Sequence, residues 1–251
     1  MNENLKHAMK ELRLSGMSLS LEVRLQEARA NNLDYDEFLE LALQDEMTVR
    51  YDRLIKRRIK SAAFAGNKTL DQFNWSFNQK INRKQVFDLG ACDFIRKSKD
   101  VLFIGPPGVG KTHLAQAIGL QAIKSGLTVY YRSIFDLVRD FLKEEVLENE
   151  NRIIKRYLKP DLLIIDDMGL KQLPKRSGEY LFEVIMRRYE LKSTIMTSNR
   201  PIEEWGKLIG DVPTAGAILD RFLQHAEIIS ITGKSYRLKD KSNNKQTKNI
   251  A

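Results

Sequence analysis

Apolar residues in the first 60 or so positions recur every three or four residues, which is the spacing of amphipathic helices. Two such faces are Leu5, Met9 and Leu12, and then Met17, Leu21, Leu25 and Ala28. Asp34, with Glu37 three positions later, resembles a capping box that opens a third helix. So few short helices are marginally stable alone. We therefore predict a small all-helical N-terminal domain, residues 1–64, that docks onto its own second domain or onto a partner.

From about residue 70 the pattern changes to short apolar, mostly β-branched or aromatic runs alternating with helical stretches. The predicted strands are 101–104, 128–131, 162–165 and 194–197, and the predicted helices are 112–124, 134–147, 151–158 and 178–191. This order predicts an α/β domain over 65–240, a parallel sheet flanked by helices with its ligand at the carboxyl edge. Residues 62–68 lose the periodicity and form the predicted linker. Residues 241–251 are predicted to be a basic, flexible tail.

The segment Gly105–Thr112 reads Gly-Pro-Pro-Gly-Val-Gly-Lys-Thr and lies between a predicted strand and a predicted helix. This is a phosphate-binding P-loop, in which the glycines let backbone N–H groups turn toward one phosphate and the helix start adds positive potential. Lys111 is expected on the β- and γ-phosphates, and the Thr112 hydroxyl on Mg²⁺. The sequence thus predicts binding of ATP with magnesium. The predicted nucleotide contacts are Gly105, Pro106, Pro107, Gly108, Val109, Gly110, Lys111, Thr112, His113 and Arg237.

Two further strands end in polar groups. Asp166 and Asp167 follow the apolar run 162–165, so that Asp166 is expected to hold Mg²⁺ with Thr112, and Asp167 to act on the attacking water. Asn199 follows 194–197 and is expected to hold that water or to sense the γ-phosphate. Each of these residues is also a common turn former, so a purely structural role remains the alternative.

Arg221 lies on a helical stretch well after the core strands, from which its side chain can reach the γ-phosphate of a neighbouring subunit. Arg237, in Gly-Lys-Ser-Tyr-Arg, is placed to reach the nucleotide of its own chain. The predicted catalytic residues are Lys111, Asp167, Asn199 and Arg221. Isolated arginines are more often surface residues paired with acids, and that alternative stays open.

Composition and charge narrow the class of protein. The net charge is +9, and the residues from Gly233 onward carry six basic side chains and one acidic one. A polyanionic partner fits this charge, although a solvated tail is the alternative. The single cysteine, Cys92, allows no internal disulfide, no apolar run approaches the roughly 18 residues of a membrane span, and the N-terminus lacks a signal peptide's apolar region. These features predict a cytoplasmic protein without membrane association.

The order of these motifs resembles the AAA+ ATPases of the initiator and helicase-loader branch. Within it the chain is most similar to the IstB family, the transposition helper ATPases of certain bacterial insertion sequences. The resemblance covers nearly the whole chain. Its motifs are MKELRLSGM, EARANNLDYDEFLELAL, KTLDQFNW, GPPGVGKTHLA, DLLIIDDMGL and AILDRFLQHAEIISITGKSYRL.

The resemblance implies a subunit that assembles with ATP into a ring or spiral on duplex DNA and that recruits and stimulates the partner transposase. It assigns roles to the site residues: Lys111 and Thr112 as phosphate and magnesium contacts, Asp166 and Asp167 as the Walker B pair, Asn199 as sensor one, Arg221 as a finger in trans, and Arg237 as sensor two. Many AAA+ proteins have Asp-Glu where this chain has Asp-Asp, which suits a slow assembly switch better than a fast motor.

DNA contacts are expected on the helical segment that this branch adds after the second strand, and on the loop after the metal strand. The candidates are Arg132, Arg139, Lys143, Arg152, Lys155, Arg156, Lys159, Lys171, Lys175 and Arg176. A solvated helix face is the alternative for each one. Three rival functions also remain: a replicative helicase loader of the DnaC type, a small-molecule kinase using the same P-loop, and a nucleotide-gated scaffold that hardly hydrolyses ATP.

Overall fold

The computed structural model describes residues 2–146, 150–169, 173–174 and 176–238. The chain divides into two compact units, Met1–Arg58 and Ile59–Ala251. The domain bounds expected from the sequence, 1–64, 65–240 and 241–251, stay a prediction, and the tail lies outside the described residues. Among those residues no helix is long and apolar enough to cross a membrane.

The first unit is helical, as predicted. Its helices are α1 (Glu3–Glu11), α2 (Ser15–Asn31) and α3 (Tyr35–Ala62), the last of which continues past the unit boundary. The capping box is confirmed, because Glu37 N–H donates to Asp34 Oδ1 (2.8 Å) and Asp34 N–H donates to Glu37 Oε2 (3.2 Å). Met9 is buried, whereas Leu5 and Leu12 on the same face are exposed. The small unit therefore covers its apolar faces only in part.

The second unit contains a five-stranded sheet in which every neighbouring pair is parallel. The strands are β1 (Asp100–Ile104), β2 (Val129–Ser133), β3 (Leu162–Met168), β4 (Ser193–Ser198) and β5 (Ala226–Ser230), in the order β2-β3-β4-β1-β5. The predicted parallel sheet is confirmed. The strand β5 was not predicted. Because β4 lies between β1 and β3, the P-loop after β1 and the acidic pair at the end of β3 face one edge of the sheet.

Helices flank this sheet. They are α4 (Arg83–Gly90), α5 (Asp93–Arg96), α6 (Lys111–Lys124), α7 (Ile134–Val146), α8 (Glu150–Leu158), α9 (Ser177–Arg188), α10 (Trp205–Ile209) and α11 (Val212–Gln224). Short 3₁₀ turns occupy Ile202–Glu204 and Tyr236–Leu238. The four helices predicted within this unit appear as α6, α7, α8 and α9, and α9 ends at Arg188 rather than at 191.

The pairing of β3 with β4 is irregular where the acidic residues lie. Ile165 pairs with Met196, but the next pair is Met168 with Ser198, so that two residues of β3 face one of β4. Asp167 adopts a left-handed backbone (φ 64°) at this bulge. Such a conformation is unfavourable for a residue with a Cβ and is concentrated at functional sites.

Candidate functional site

The P-loop turns tightly between β1 and α6, and two of its glycines are required by geometry. A Cβ on Gly105 would lie 2.0 Å from the backbone oxygen of Ile231. Gly110 has φ +105°, and a Cβ there would lie 2.6 Å from the ring of Phe73. Side chains at these positions would displace neighbouring chain or strain the turn, so the loop keeps this shape only with glycine.

Lys111 is buried at the start of α6, and its ammonium nitrogen donates to the carbonyl oxygens of Gly105 (2.7 Å) and Pro106 (2.9 Å). Burial lowers the pKa of Lys111, against the attraction of Asp166 and Asp167. Gly110, the N-cap of α6, provides no side-chain cap. The first amides of the helix and a buried cation therefore converge where an anion can bind.

Asp166 is fully buried and accepts hydrogen bonds at both carboxylate oxygens. Oδ1 accepts from Thr112 (3.0 Å) and from the Thr197 hydroxyl, and Oδ2 accepts from the Tyr131 hydroxyl (2.6 Å). Burial and the negative charge of Asp166 raise the pKa of Tyr131, so its hydroxyl stays protonated and donates. The Thr112 hydroxyl and a carboxylate within hydrogen-bonding distance form an oxygen donor set of the kind that Mg²⁺ prefers.

Asp167 is half-buried and faces the cavity beside the P-loop. Burial raises its pKa, and the neighbouring charge of Asp166 raises it further. Its N–H donates to the Thr197 hydroxyl oxygen (3.2 Å), which holds the bulge in place. An accessible carboxylate of raised basicity is suited to accept a proton.

Asn199 lies at the end of β4, where its N–H donates to the Met168 carbonyl (3.0 Å). Its side-chain Oδ1 is buried and has no hydrogen-bond partner among the residues that the structure describes. A buried acceptor without a partner is costly and calls for an explanation. Because Asn199 lines the same cavity as Asp167, a bound water or ligand in that cavity can satisfy it.

The cavity between these groups has a volume of about 530 Å³, which lies within the range of ligand pockets. The residues that line it are Lys68, Gln72, Phe73, Asn74, Pro107, Gly108, Val109, Gly110, Lys111, Thr112, His113, Asp167, Thr197, Asn199, Tyr236 and Arg237. Glycine backbone, a buried lysine, a threonine hydroxyl and an unpaired amide oxygen fit a nucleoside triphosphate with its metal. Gly105, Pro106 and Asp166 are not among the lining residues. Asp166 accepts a hydrogen bond from Thr112, which does line the cavity.

Several lining residues were missed by sequence reasoning. Lys68, Gln72, Phe73 and Asn74 come from the chain before α4, and His113 Nε2 lies 2.8 Å from the Thr69 carbonyl oxygen of that segment. The motif KTLDQFNW signals this segment, but nothing in its residue types places it over the P-loop. Tyr131 carries no sequence signal either, because its contact with Asp166 depends on the pairing of β2 with β3.

The two candidate arginines lie in different places. Arg237 lines the cavity, and the adjacent Tyr236 N–H donates to the Gly108 carbonyl (2.9 Å). Arg221 is exposed on α11 and is not among the cavity-lining residues; its guanidinium lies 5.6 Å from the centroid of the Tyr189 ring. The described structure therefore brings Arg237, but not Arg221, to the site of its own chain.

The candidate DNA contacts separate into two groups. Arg132 pairs with Asp140 (2.5 Å), Arg139 pairs with Asp136, and Arg176 pairs with Glu179 (3.1 Å). The exposed candidates without an ion pair among the described residues are Lys143, Arg152, Lys155, Arg156 and Lys159. Four of them, 152, 155, 156 and 159, lie on the exposed face of α8 or just past its end. Lys171 and Lys175 lie outside the described residues.

Comparison with known proteins identifies the family. Residues 7–244 match the family described as IstB-like ATP binding protein. The chain belongs to the IstB-like ATP-binding protein family. One relative is the ATP-binding protein of insertion sequence IS5376 from Geobacillus stearothermophilus. It is 36% identical over 241 residues, which cover 96% of each chain. The chain is thus a member of an ATP-binding protein family, and its relatives include a protein of an insertion sequence.

Solved structures agree with the fold. The DnaC helicase loader superposes with a TM-score of 0.54 at 23% identity, covering 70% of this chain and 99% of that one. The replication initiator DnaA bound to AMPPCP and single-stranded DNA superposes with a TM-score of 0.56 at 22% identity, covering 71% of this chain and 56% of that one. At this identity the likeness supports the AAA+ fold, and it is consistent with the predicted architecture.

Proposed function

We propose that this protein hydrolyses ATP with Mg²⁺ as a subunit of an oligomer on duplex DNA in the cytoplasm, where it recruits and stimulates a partner transposase. One observation carries the proposal. Thr112, Asp167 and Asn199 surround one cavity at the sheet edge, while Arg221 lies on the surface outside it. The residues expected to contact the phosphates, the metal and the attacking water thus lie together in one chain, but the expected arginine finger does not. We infer that the finger of a neighbouring subunit completes the site.

Each residue has a role in this mechanism. Thr112 and Asp166 would hold Mg²⁺, which neutralises charge on the phosphates when it is bound. Lys111 exchanges the carbonyls of Gly105 and Pro106 for phosphate oxygens. Asp167 accepts the proton of the attacking water, and Asn199 Oδ1 accepts a hydrogen bond from that water and orients it.

A mixing experiment tests the shared site. Arg221→Ala and Lys111→Ala should each be inactive alone, since one lacks the finger and the other the phosphate contact. When they are mixed, some interfaces combine an intact Lys111 with an intact Arg221, so ATP turnover should reappear. Arg187→Ala is the matched control, because Arg187 is also exposed and its ion-pair partner among the described residues is Glu183 on its own helix (2.8 Å).

The alternative functions predict different results in this and two further experiments. A small-molecule kinase that acts as a monomer predicts full activity in Arg221→Ala and no recovery on mixing. A nucleotide-gated scaffold predicts that Asp167→Asn leaves product formation unchanged while assembly persists. Electron microscopy with duplex DNA, ATP, ADP or no nucleotide should show oligomers on DNA with ATP, and their absence would overturn the proposal.

The basic face of α8 supports the DNA partner. Replacing Arg152, Lys155, Arg156 and Lys159 by Gln should weaken binding to duplexes of any sequence, and should reduce the slope of log affinity against log salt by roughly 0.9 for each phosphate that is no longer neutralised. The matched control replaces four exposed lysines elsewhere, namely Lys80, Lys84, Lys97 and Lys99. Equally weakened binding in both variants would assign the effect to net charge rather than to α8.

The family and the insertion-sequence relative support the transposase partner. Affinity capture with the full chain should retain the partner transposase in the presence of ATP and DNA. Retention of a hexameric replicative helicase instead would favour the runner-up function, a DnaC-like helicase loader.

A further inference from the structure

Asp166 is held by a residue outside the P-loop and the acidic pair. The Tyr131 hydroxyl donates to Asp166 Oδ2 at 2.6 Å, and the bond is buried at both ends. Thr112 and Thr197 both donate to the other oxygen, Oδ1. Within the part of the chain that the structure describes, Tyr131 alone donates to Oδ2, so it fixes the rotation of the carboxylate.

Tyr131 is itself held in place by its strand and by neighbouring side chains. It pairs with Ile164 in the register of β2 with β3, and its ring centroid lies 6.3 Å from that of Phe64. The side chain of Gln116, on α6, lies close enough to the same hydroxyl to lower the pKa of Tyr131, against the larger effect of burial. The amide oxygen of Gln116 is buried without a partner among the described residues, which fits an amide that turns its NH₂ group toward the tyrosine.

We propose that Tyr131 is a positioning residue that orients Asp166 for the magnesium ion bound with ATP; this inference rests on the proposed function. Tyr131 is not among the residues that line the cavity, so it acts through the carboxylate rather than by touching nucleotide. Loss of a partner that orients a metal-holding carboxylate typically lowers metal affinity or activity by roughly 10-fold to 100-fold. The Tyr131 hydroxyl therefore influences the Mg²⁺ affinity of the site.

Binding of a fluorescent, non-hydrolysable ATP analogue during a Mg²⁺ titration tests this role without relying on turnover. In Tyr131→Phe the Mg²⁺ concentration at half-maximal effect should rise by roughly 10-fold to 100-fold. Affinity for the analogue in EDTA should stay equal to that of the wild type, because the P-loop contacts remain.

Tyr157→Phe is the matched control. Tyr157 is fully buried in the same unit, and its hydroxyl donates to a carboxylate oxygen of Asp140 (2.9 Å), but it does not line the cavity. The Tyr157→Phe variant therefore loses the same group, a buried hydroxyl that donates to a carboxylate. Its Mg²⁺ requirement should match that of the wild type, even if its thermal stability falls as far as that of Tyr131→Phe.

The outcomes are distinguishable. If Mg²⁺ raises the analogue affinity of the wild type and of Tyr131→Phe at the same concentration, the positioning role is overturned and the proposed function stays intact. A wild-type protein whose analogue affinity ignores Mg²⁺ overturns the magnesium site and this inference with it. If Tyr131→Phe does not fold, Gln116→Met removes the support of the hydroxyl, and an unchanged Mg²⁺ requirement there also overturns the inference.

Discussion

The two ends of the parallel sheet differ in whether their buried polar groups have hydrogen-bond partners within the fold. At the end where the strands begin, Arg188 is fully buried and donates to the carbonyl oxygens of Tyr157 (2.8 Å), Pro160 (3.0 Å) and Ser193. Asp161 nearby accepts from Lys192 and from both the N–H and the hydroxyl of Thr128. These groups are satisfied within the fold itself.

At the end where the strands finish, the polar groups are not all satisfied in this way. Asn199 Oδ1 is buried without a partner among the described residues, α6 begins without a side-chain cap, and Asp167 keeps a left-handed backbone. Unsatisfied donors and acceptors cost stability unless a ligand completes them. The contrast indicates that charge at one end serves folding and at the other end serves binding.

The largest expected effect is at the folding end. Arg188→Met leaves several buried carbonyls without donors and removes a cation that lies near Asp100 and Asp161, so the free energy of unfolding should fall by about 3–5 kcal/mol. Burial lowers the pKa of Arg188 only to about 10, so it is charged at neutral pH. Urea denaturation measures the change. The neighbouring Arg187→Met, which breaks the exposed ion pair with Glu183, should cost less than about 1 kcal/mol. Equal midpoints would contradict the contrast.

Lys111→Met should show the reverse pattern at the binding end. ATP turnover should fall by roughly 10²-fold to 10³-fold, because a preorganised cation is removed from the phosphates. Stability should change far less than in Arg188→Met, because the cost of burying the Lys111 charge, which lowers its pKa, offsets its bonds to the carbonyls of Gly105 and Pro106. Urea midpoints and turnover of the same samples check this, with the exposed Lys124→Met at the other end of α6 as control. A fall in stability as large as that of Arg188→Met would remove the distinction.

Sequence reasoning recovered the binding end better than the folding end. The P-loop, Asp166, Asp167 and Asn199 could be proposed from the sequence because each lies within a local pattern of strand and loop. Their convergence followed from one general rule about parallel sheets. Arg188 was not found, since an arginine in the last turn of a helix is more often exposed and only the fold shows it to be buried.

The other omissions have the same cause. The strand β5 is an edge strand whose middle residues, Glu227 and Ile228, are exposed, so it lacks the continuous apolar run of the central strands. Tyr131 and Phe73 reach the site only through strand pairing and the path of the chain before α4. Such contacts depend on tertiary structure, which spacing along the sequence does not encode.

Asn199→Ala should have a smaller effect than Lys111→Met. The variant loses the acceptor that orients water, and misplacement of a reacting group of this kind should lower turnover by roughly 10-fold to 100-fold. Affinity for ATP should change little, and stability should not fall, because the removed oxygen has no partner among the described residues. Steady-state kinetics separate the two effects. Weaker ATP affinity with unchanged turnover would place Asn199 in binding rather than in catalysis.

The smallest expected effect is a pH dependence at the folding end. Asp100 accepts from the Thr194 N–H (2.6 Å), and burial raises its pKa to about 7, against the attraction of Arg188 and His225. Because the folded state binds this proton more tightly than the unfolded state, the stabilisation is complete below the ordinary value of 3.8 and is lost as pH rises through 7.

Asp100→Asn mimics the protonated form at every pH. The stability of the wild type relative to this variant should therefore fall between pH 4 and 7, by at most about 1.4 kcal/mol per pH unit, and should level off above. Urea denaturation of both proteins across this range measures the difference. If this difference in the free energy of unfolding stays constant or rises with pH, Arg188 keeps Asp100 ionised. The folding end would then contain a buried ion pair, in which Arg188 is neutralised by Asp100 as well as hydrogen-bonded to the backbone.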